Sequence, residues 1–260
     1  MTPVPIVLQH GLFGFAQFEV GKLRLSYFHK IDRAIANRGH PLIISTVHPT
    51  AAIRFRAMQL KRTILKEIKL LGIDRRVVIV AHSMGGLDAR YMISKLGMAE
   101  HVAGLVTIST PHRGSPYADW ALKTLGKRMG GLKLMKVLGL NVRAITDLTI
   151  ESCRRFNDAV PDHPDVKYYS ISAARQLRLM PAFLMPSGKI IGDAEGPNDG
   201  MVSVASATWG KHLETWPADH LHVINKRFGI EIRNRTGDIV PYYLRMLEKV
   251  AGADDERVSW

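Results

Sequence analysis

Residues 77–91 read VVIVAHSMGGLDARY. Val77–Ala81 is fully apolar and largely β-branched, the pattern of a strand buried on both faces of a parallel sheet. A helix is expected next, with Leu87 and Tyr91 on its inner face and Gly97 near its end. Ser83 therefore falls on the turn between strand and helix. The residues two before and two after it, Ala81 and Gly85, are small. So sharp a turn needs that, because the flanking backbones approach each other closely. Such a turn lifts the serine Oγ out of the sheet and aims the N–H of Met84 at whatever Ser83 attacks. Gly86 lets the helix start pack tightly. A hydroxyl presented in this way is a candidate nucleophile.

Strand and helix signals alternate on both sides of this stretch. Pro5–Leu8 is an apolar run ending at the His10-Gly11 turn. A helix is expected from about Ser26, with Phe28, Ile31 and Ile35 on one face and Gly39 past its end. Leu42–Val47 reads as a strand. Ile53, Ala57, Leu60, Ile64, Ile68 and Leu71 then recur at helical spacing until Gly72 stops them. Leu105–Ser109 and Tyr168–Ser172 read as further strands, and Asp238 caps a last helix with Pro241 in its first turn. This order predicts an α/β fold, a mostly parallel twisted sheet covered by helices on both faces. In such sheets ligands bind beyond the carboxyl ends of the strands.

The chain has 260 residues, 46% of them hydrophobic and 23% charged, with no repeat or linker-like tract, which suits one domain. Its 36 Lys+Arg against 23 Asp+Glu give a formal charge of +13, which favours anionic partners. No nucleic-acid motif or aromatic-interleaved basic strip accompanies that charge, so nucleic acid is not expected as a partner. Cys153 is the single cysteine, which excludes an internal disulfide and a cysteine-based zinc cluster. No apolar run approaches the ~18 residues of a transmembrane helix. The opening MTPVPIVLQHG lacks the basic start and long apolar core of a signal peptide. At face value the expected location is cytoplasmic, a mature secreted domain being the alternative.

A serine hydroxyl needs a base, usually a histidine oriented by a carboxylate. Of eleven histidines, His10 and His82 lie too close to the two turns, and His112 sits in a loop beside Arg113. Downstream, GPNDGMVSVAS (196–206) offers Asp199, and WPADHLHVIN (216–225) offers His220 and His222. Serine, aspartate, histidine is the chain order of an α/β-hydrolase triad. Order alone does not choose between the two histidines.

Five segments in register carry a specific resemblance: QHGLFGF (9–15), AHSMGG (81–86), STPHRGSPYAD (109–119), NDGMVS (198–203) and HLHVIN (220–225). Together they resemble the bacterial triacylglycerol lipases and carboxylesterases of the α/β-hydrolase fold along the whole chain. The resemblance implies His220 as the base, Asp199 as the acid, and the N–H groups of Leu12 and Met84 as the oxyanion hole. It further implies hydrolysis of lipid carboxylic esters through an acyl-enzyme, with no organic cofactor. A polyester depolymerase, thioesterase or acyltransferase would use the same triad, and a non-catalytic lipid-binding protein could use the same scaffold.

Two positions depart from the resembled pattern. The nucleophile pentapeptide begins with Ala81, as in the small lid-less members. The larger members hold Ca²⁺ with an aspartate two residues after the catalytic histidine and another ahead of the Asn-Asp-Gly loop. Here the first position is His222, and RLMPAFLMPSGK (178–189) contains no carboxylate. Calcium requires several hard oxygen ligands, so no metal is expected.

Between the strands near Ser109 and Tyr168 an insertion, at about 113–165, is expected to form a helical cap. In it DWALKTLGKRMGGLKLMKVLGLN (119–141) carries two apolar stripes, Leu122, Leu125, Met129 and Leu132, Met135, Leu138, separated by Gly130-Gly131. Residues 120–143 hold six basic residues (Lys123, Lys127, Arg128, Lys133, Lys136, Arg143) and no acid, and suggest docking on an anionic lipid interface. The basic helix at 54–71 reads as a solvated face. LRLMPAFLMPSG (177–188) reads equally as acyl-groove lining or core.

Overall fold

The computed structural model describes residues 3–12, 14, 17–20, 23–127, 142–228 and 237–252. Its centre is a six-stranded, all-parallel sheet. The strands are β1 (Ile6–Gln9), β4 (Leu42–Ile44), β5 (Val77–His82), β6 (Val102–Ile108), β7 (Lys167–Ala173) and β8 (Lys211–Trp216), in spatial order β4-β1-β5-β6-β7-β8. β2 (Gln17–Val20) and β3 (Leu23–Ser26) form a separate antiparallel pair. β5 lies between β1 and β6, with Val80 opposite Leu8 on one side and Val106 on the other. A strand so placed is buried on both faces, and every residue from Val77 to His82 is buried.

Alternation along β5 divides the core in two. Val78 and Val80 point to a cluster with Ile31, Ile35, Trp216, Tyr243 and Met246. These come from α1 (Ile31–Ala36), β8 and α9 (Val240–Gly252). Val77, Ile79 and Ala81 point to the other face, against Ala57, Leu60 and Ile64 of α2 (Ile53–Leu71) and Ala89, Met92 and Ile93 of α3 (Met84–Lys95). Gly72 ends α2 in the left-handed region at φ 62°, where a side chain would be strained.

Several expectations are corrected. The helix predicted from Ser26 begins only at Ile31. Ser26 closes the hairpin strand β3, and Lys30 at φ 63° keeps the chain out of the helix until there. Phe28 still reaches the core, from a loop. The strand predicted to Val47 ends at Ile44, although the Ser45 N–H still bonds the Leu8 carbonyl at 3.0 Å. The edge strand β8 was not expected, since KHLETW mixes charge with half-buried positions. The helix α7 (Met185–Glu195), which begins in the Met-rich stretch, was not expected either. The basic face at 54–71 is not wholly solvated, because Arg56 is fully buried.

The insertion after β6 contains α4 (Pro116–Lys127), α5 (Val142–Thr146) and α6 (Ile150–Ala159) among the described residues. Arg128, Met129, Gly130-Gly131, Leu132, Lys133, Met135, Lys136 and Leu138 lie outside them. α8 (Val204–Ala207) is a single turn after the Asn-Asp-Gly loop.

Candidate active site

Four connections at the carboxyl ends of the strands supply the site. β5 ends at Ser83, whose backbone adopts φ 54°, ψ −133°, a sparsely populated conformation. It is held by the Ser83 N–H bonded to the Ile108 carbonyl at 2.9 Å and by the Thr110 hydroxyl donating to the Ser83 carbonyl at 2.7 Å. The small neighbours are required by contact. A Cβ on Gly85 would lie 2.8 Å from the His10 carbonyl oxygen, and one on Gly11 would lie 2.8 Å from Ser83 Cβ. The 10–12 loop and the serine turn therefore pack backbone to backbone. That brings Leu12, half-buried, and Met84, fully buried, to the nucleophile as the two residues expected to donate N–H groups.

The structure brings Ser83, Asp199 and His220 together. His220 Nε2 is 3.0 Å from Ser83 Oγ, and His220 Nδ1 is 2.7 Å from Asp199 Oδ2. Asp199 is fully buried, and its other oxygen accepts from the N–H groups of Met201 at 2.9 Å and Val202 at 2.8 Å. These bonds satisfy a buried carboxylate and fix its plane. The carboxylate accepts only, so the imidazole carries its proton on Nδ1 and turns the Nε2 lone pair to the serine hydroxyl. The His220 N–H also bonds the Asp199 carbonyl at 2.8 Å. His222, the other sequence candidate, faces away: its Nε2 is 2.6 Å from the Gly237 carbonyl.

Sequence reasoning passed over a group that grips Gly11 from both sides. The Tyr27 hydroxyl accepts from the Gly11 N–H at 3.2 Å and lies 2.7 Å from His82 Nδ1. Arg56 Nη2 donates to the carbonyls of His10 at 2.8 Å and Gly11 at 3.3 Å, and His10 Nδ1 lies 2.9 Å from the Gly11 carbonyl. That carbonyl shares a peptide plane with the Leu12 N–H, so these bonds orient the donor. Arg56 is itself paired with Asp88 at 2.8 Å, both fully buried, and Gln9 donates to the same carboxylate at 2.9 Å. Burial raises the Asp88 carboxyl while Arg56 and Gln9 pull it the other way. Burial, with Arg56 beside it, pushes His10 down to about 4. Burial and the neighbouring His220 hold His82 well below the ordinary histidine value. Burial likewise lowers His112, with Arg90 adding to it, and pushes the Cys153 thiol up to about 12, so neither is poised for chemistry near neutral pH. A lone buried tyrosine, arginine or aspartate leaves no periodic signal in the sequence.

The resemblance raises a calcium site beside His220, and the donors there do not fit it. Asp219 Oδ1 accepts the N–H groups of Leu221 and His222, both at 3.0 Å, and its Oδ2 lies 3.5 Å from Arg175 Nη1. Both ring nitrogens of His222 are engaged, by Arg175 and by the Gly237 carbonyl. No group of three metal-ligating side chains occurs among the described residues.

Triacylglycerol lipase 2 of Saccharomyces cerevisiae is 31% identical over 246 residues, spanning 88% of this chain and 74% of that protein. The chain belongs to the triacylglycerol lipase family. It is a carboxylic ester hydrolase of the α/β-hydrolase fold. A triacylglycerol lipase of Vibrio cholerae is 27% identical over 277 residues, covering 93% of this chain and 86% of that one. Residues 57–152 of this lipase match a PGAP1-like alpha/beta domain. Lipase 1 from Pelosinus fermentans superposes with a TM-score of 0.71 at 18% identity, over 96% of this chain and 99% of that one, and shares the fold.

On its surface the lipase exposes several large apolar side chains. Trp120 of α4 is 46% exposed and stacks on Tyr117, with ring centroids 5.6 Å apart. Phe183 is 58% exposed and meets Phe228 edge-on at 5.6 Å. The Met-rich stretch is split: Met180 and Leu184 are buried against Gly200 of the acid loop, while Leu179, Phe183 and Met185 are exposed. Among the described residues, no helix is long and apolar enough to cross a membrane.

Proposed function

We propose that Ser83, His220 and Asp199 are the catalytic residues of a lipase that cleaves carboxylic esters of lipids, triacylglycerols among them, through an acyl-enzyme. The unbroken chain Asp199–His220–Ser83, with contacts of 2.7 and 3.0 Å, carries this reading. In the first half-reaction Ser83 Oγ attacks the ester carbonyl as His220 Nε2 takes its proton. The carbonyl oxygen becomes an oxyanion that accepts from the N–H groups of Leu12 and Met84, each worth roughly 3 kcal/mol. The intermediate collapses, His220 returns the proton to the departing alcohol, and the acyl group remains on Ser83. Water then attacks that acyl carbon with His220 as base. The fatty acid leaves and the serine is regenerated. Asp199 keeps the Nδ1 proton in place and stabilises the imidazolium formed midway.

The curated relatives named as triacylglycerol lipases support the substrate class. The exposed Trp120, Phe183 and Phe228 support contact with a lipid surface. The helices of the insertion at about 113–165 serve in this reading as a cap, and its basic residues, the exposed Lys123 and Arg143 among them, draw it to anionic lipid. A fluorophosphonate probe tests the core of the proposal. It should label the wild-type chain at Ser83 and leave Ser83→Ala unlabelled, folded and unable to hydrolyse p-nitrophenyl esters. Turnover by Ser83→Ala would remove the proposal.

A further inference from the structure

The segment that carries His220 is held by a cation that belongs to the chain. Arg175, just beyond β7, has a side chain only 12% exposed. Its Nη1 donates to His222 Nδ1 at 3.1 Å and lies 3.5 Å from Asp219 Oδ2. A guanidinium can only donate, so His222 Nδ1 accepts, and the ring proton sits on Nε2, where it reaches the Gly237 carbonyl at 2.6 Å. Gly237 is at φ 73°, and a Cβ there would stand 3.3 Å from His222 Cε1, so this carbonyl approaches the ring closely. The Arg175 backbone N–H bonds the Asn198 carbonyl at 2.9 Å, next to Asp199.

Arg175 thus links the end of β7, the acid loop and the turn on both sides of His220, and through His222 it reaches the segment leading into α9. This is the geometry a divalent ion would provide, a single positive charge centre joining separate loops. Here it is built from a guanidinium, a carboxylate and a neutral imidazole, at positions where calcium does not fit. We propose that Arg175 is a positioning residue that replaces a divalent cation, fixing the backbone on either side of His220 so that the imidazole stays aligned between Asp199 and Ser83.

The proposal rests on His220 being the base, and its test separates the two. In the first arm the wild-type chain is assayed by p-nitrophenyl butyrate turnover and by thermal melting, in excess EDTA and in millimolar CaCl₂. The expectation is a Tm shift below about 1 °C and a kcat change below about twofold. A rise of several degrees with Ca²⁺, or loss of turnover in EDTA, overturns it. In the second arm Arg175→Met should lower kcat by about tenfold or more with KM within about twofold, and added guanidinium ion should restore part of the loss. An unchanged kcat overturns the proposal, as does a loss that guanidinium leaves untouched. If Arg175→Met does not fold, Arg175→Lys decides. Lysine keeps the charge but loses the fork, so a folded enzyme with reduced kcat supports positioning. An unfolded Arg175→Lys, or one with full kcat, overturns it. If the wild type turns over no ester at all, the base assignment fails, while the melting arm still reads the cation replacement.

Discussion

Replacing Tyr27 with phenylalanine should damage the enzyme through one oxygen atom. The hydroxyl is buried, accepts from the Gly11 N–H at 3.2 Å and lies 2.7 Å from His82 Nδ1. Whichever of the two supplies the proton between the hydroxyl and His82, Tyr27→Phe takes the partner from the buried Gly11 N–H and from the buried His82 Nδ1 at once. Each costs roughly 1–3 kcal/mol, and with partial relaxation the sum is about 2–4 kcal/mol. At roughly 2.1 cal/mol/K per residue, the unfolding entropy of a chain this long converts that into a Tm lower by about 4–7 °C. The catalytic effect is separate. Freed at its N–H, Gly11 remains held by Arg56 and His10 at its carbonyl. The Leu12 N–H is then loosened and not lost. Complete removal of an oxyanion donor costs roughly 10²–10³ in kcat, so loosening should cost about tenfold, with KM near wild type. Melting followed by circular dichroism and steady-state kinetics on a soluble p-nitrophenyl ester provide the two readouts. A Tyr27→Phe enzyme with wild-type Tm and kcat would show that the hydroxyl does not hold the oxyanion loop.

Acid should destabilise the fold before the carboxylates titrate. His10 is lowered to about 4, and His82 and His112 are lowered as well, so the unfolded chain binds protons at pH 6.5 and below that the native chain refuses. Stability is then complete above about 6.5 and lost as the pH falls toward 4, His10 alone accounting for about 2 kcal/mol by pH 5. A Tm that is flat between pH 7 and 5 would contradict this. His220→Ala should lose at least about 10³ in kcat, and His222→Ala, which breaks the link to Arg175 and Gly237, less than about tenfold. The reverse order would mean that the base is misassigned. Activity on anionic vesicles should fall as salt rises from roughly 0.05 to 0.5 M while hydrolysis of a soluble ester stays constant. Equal salt dependence for both substrates would remove the interfacial role of the basic cap.

The serine turn was legible because it is local. A β-branched run, small residues around Ser83 and a helical pattern after it lie within fifteen residues, and steric need acts directly on residue type. Chain order pointed to Asp199 and to the pair His220 and His222, and only the resemblance to the lipases chose His220 between them. β8 and the hairpin β2–β3 were not legible. An edge strand such as KHLETW is half exposed and keeps charged residues, so its sequence does not alternate cleanly. Ser26 was read as a helix start because Phe28, Ile31 and Ile35 do share a buried cluster, but Phe28 joins it from a loop.

By itself, then, the sequence determined the parallel sheet and the sharp turn at Ser83, both set by hydrophobic periodicity and by sterics within a few neighbouring residues. Only the tertiary structure decided what holds the reacting groups in place. Arg56 and Asp88 are 32 residues apart, Tyr27 and His82 are 55 apart, and Arg175 and His222 are 47 apart. On the chain each reads as an ordinary polar residue in a helix or a loop. Their pairing arises when the sheet brings distant loops to one edge, where a charge or hydroxyl removed from water must find a partner or destabilise the fold.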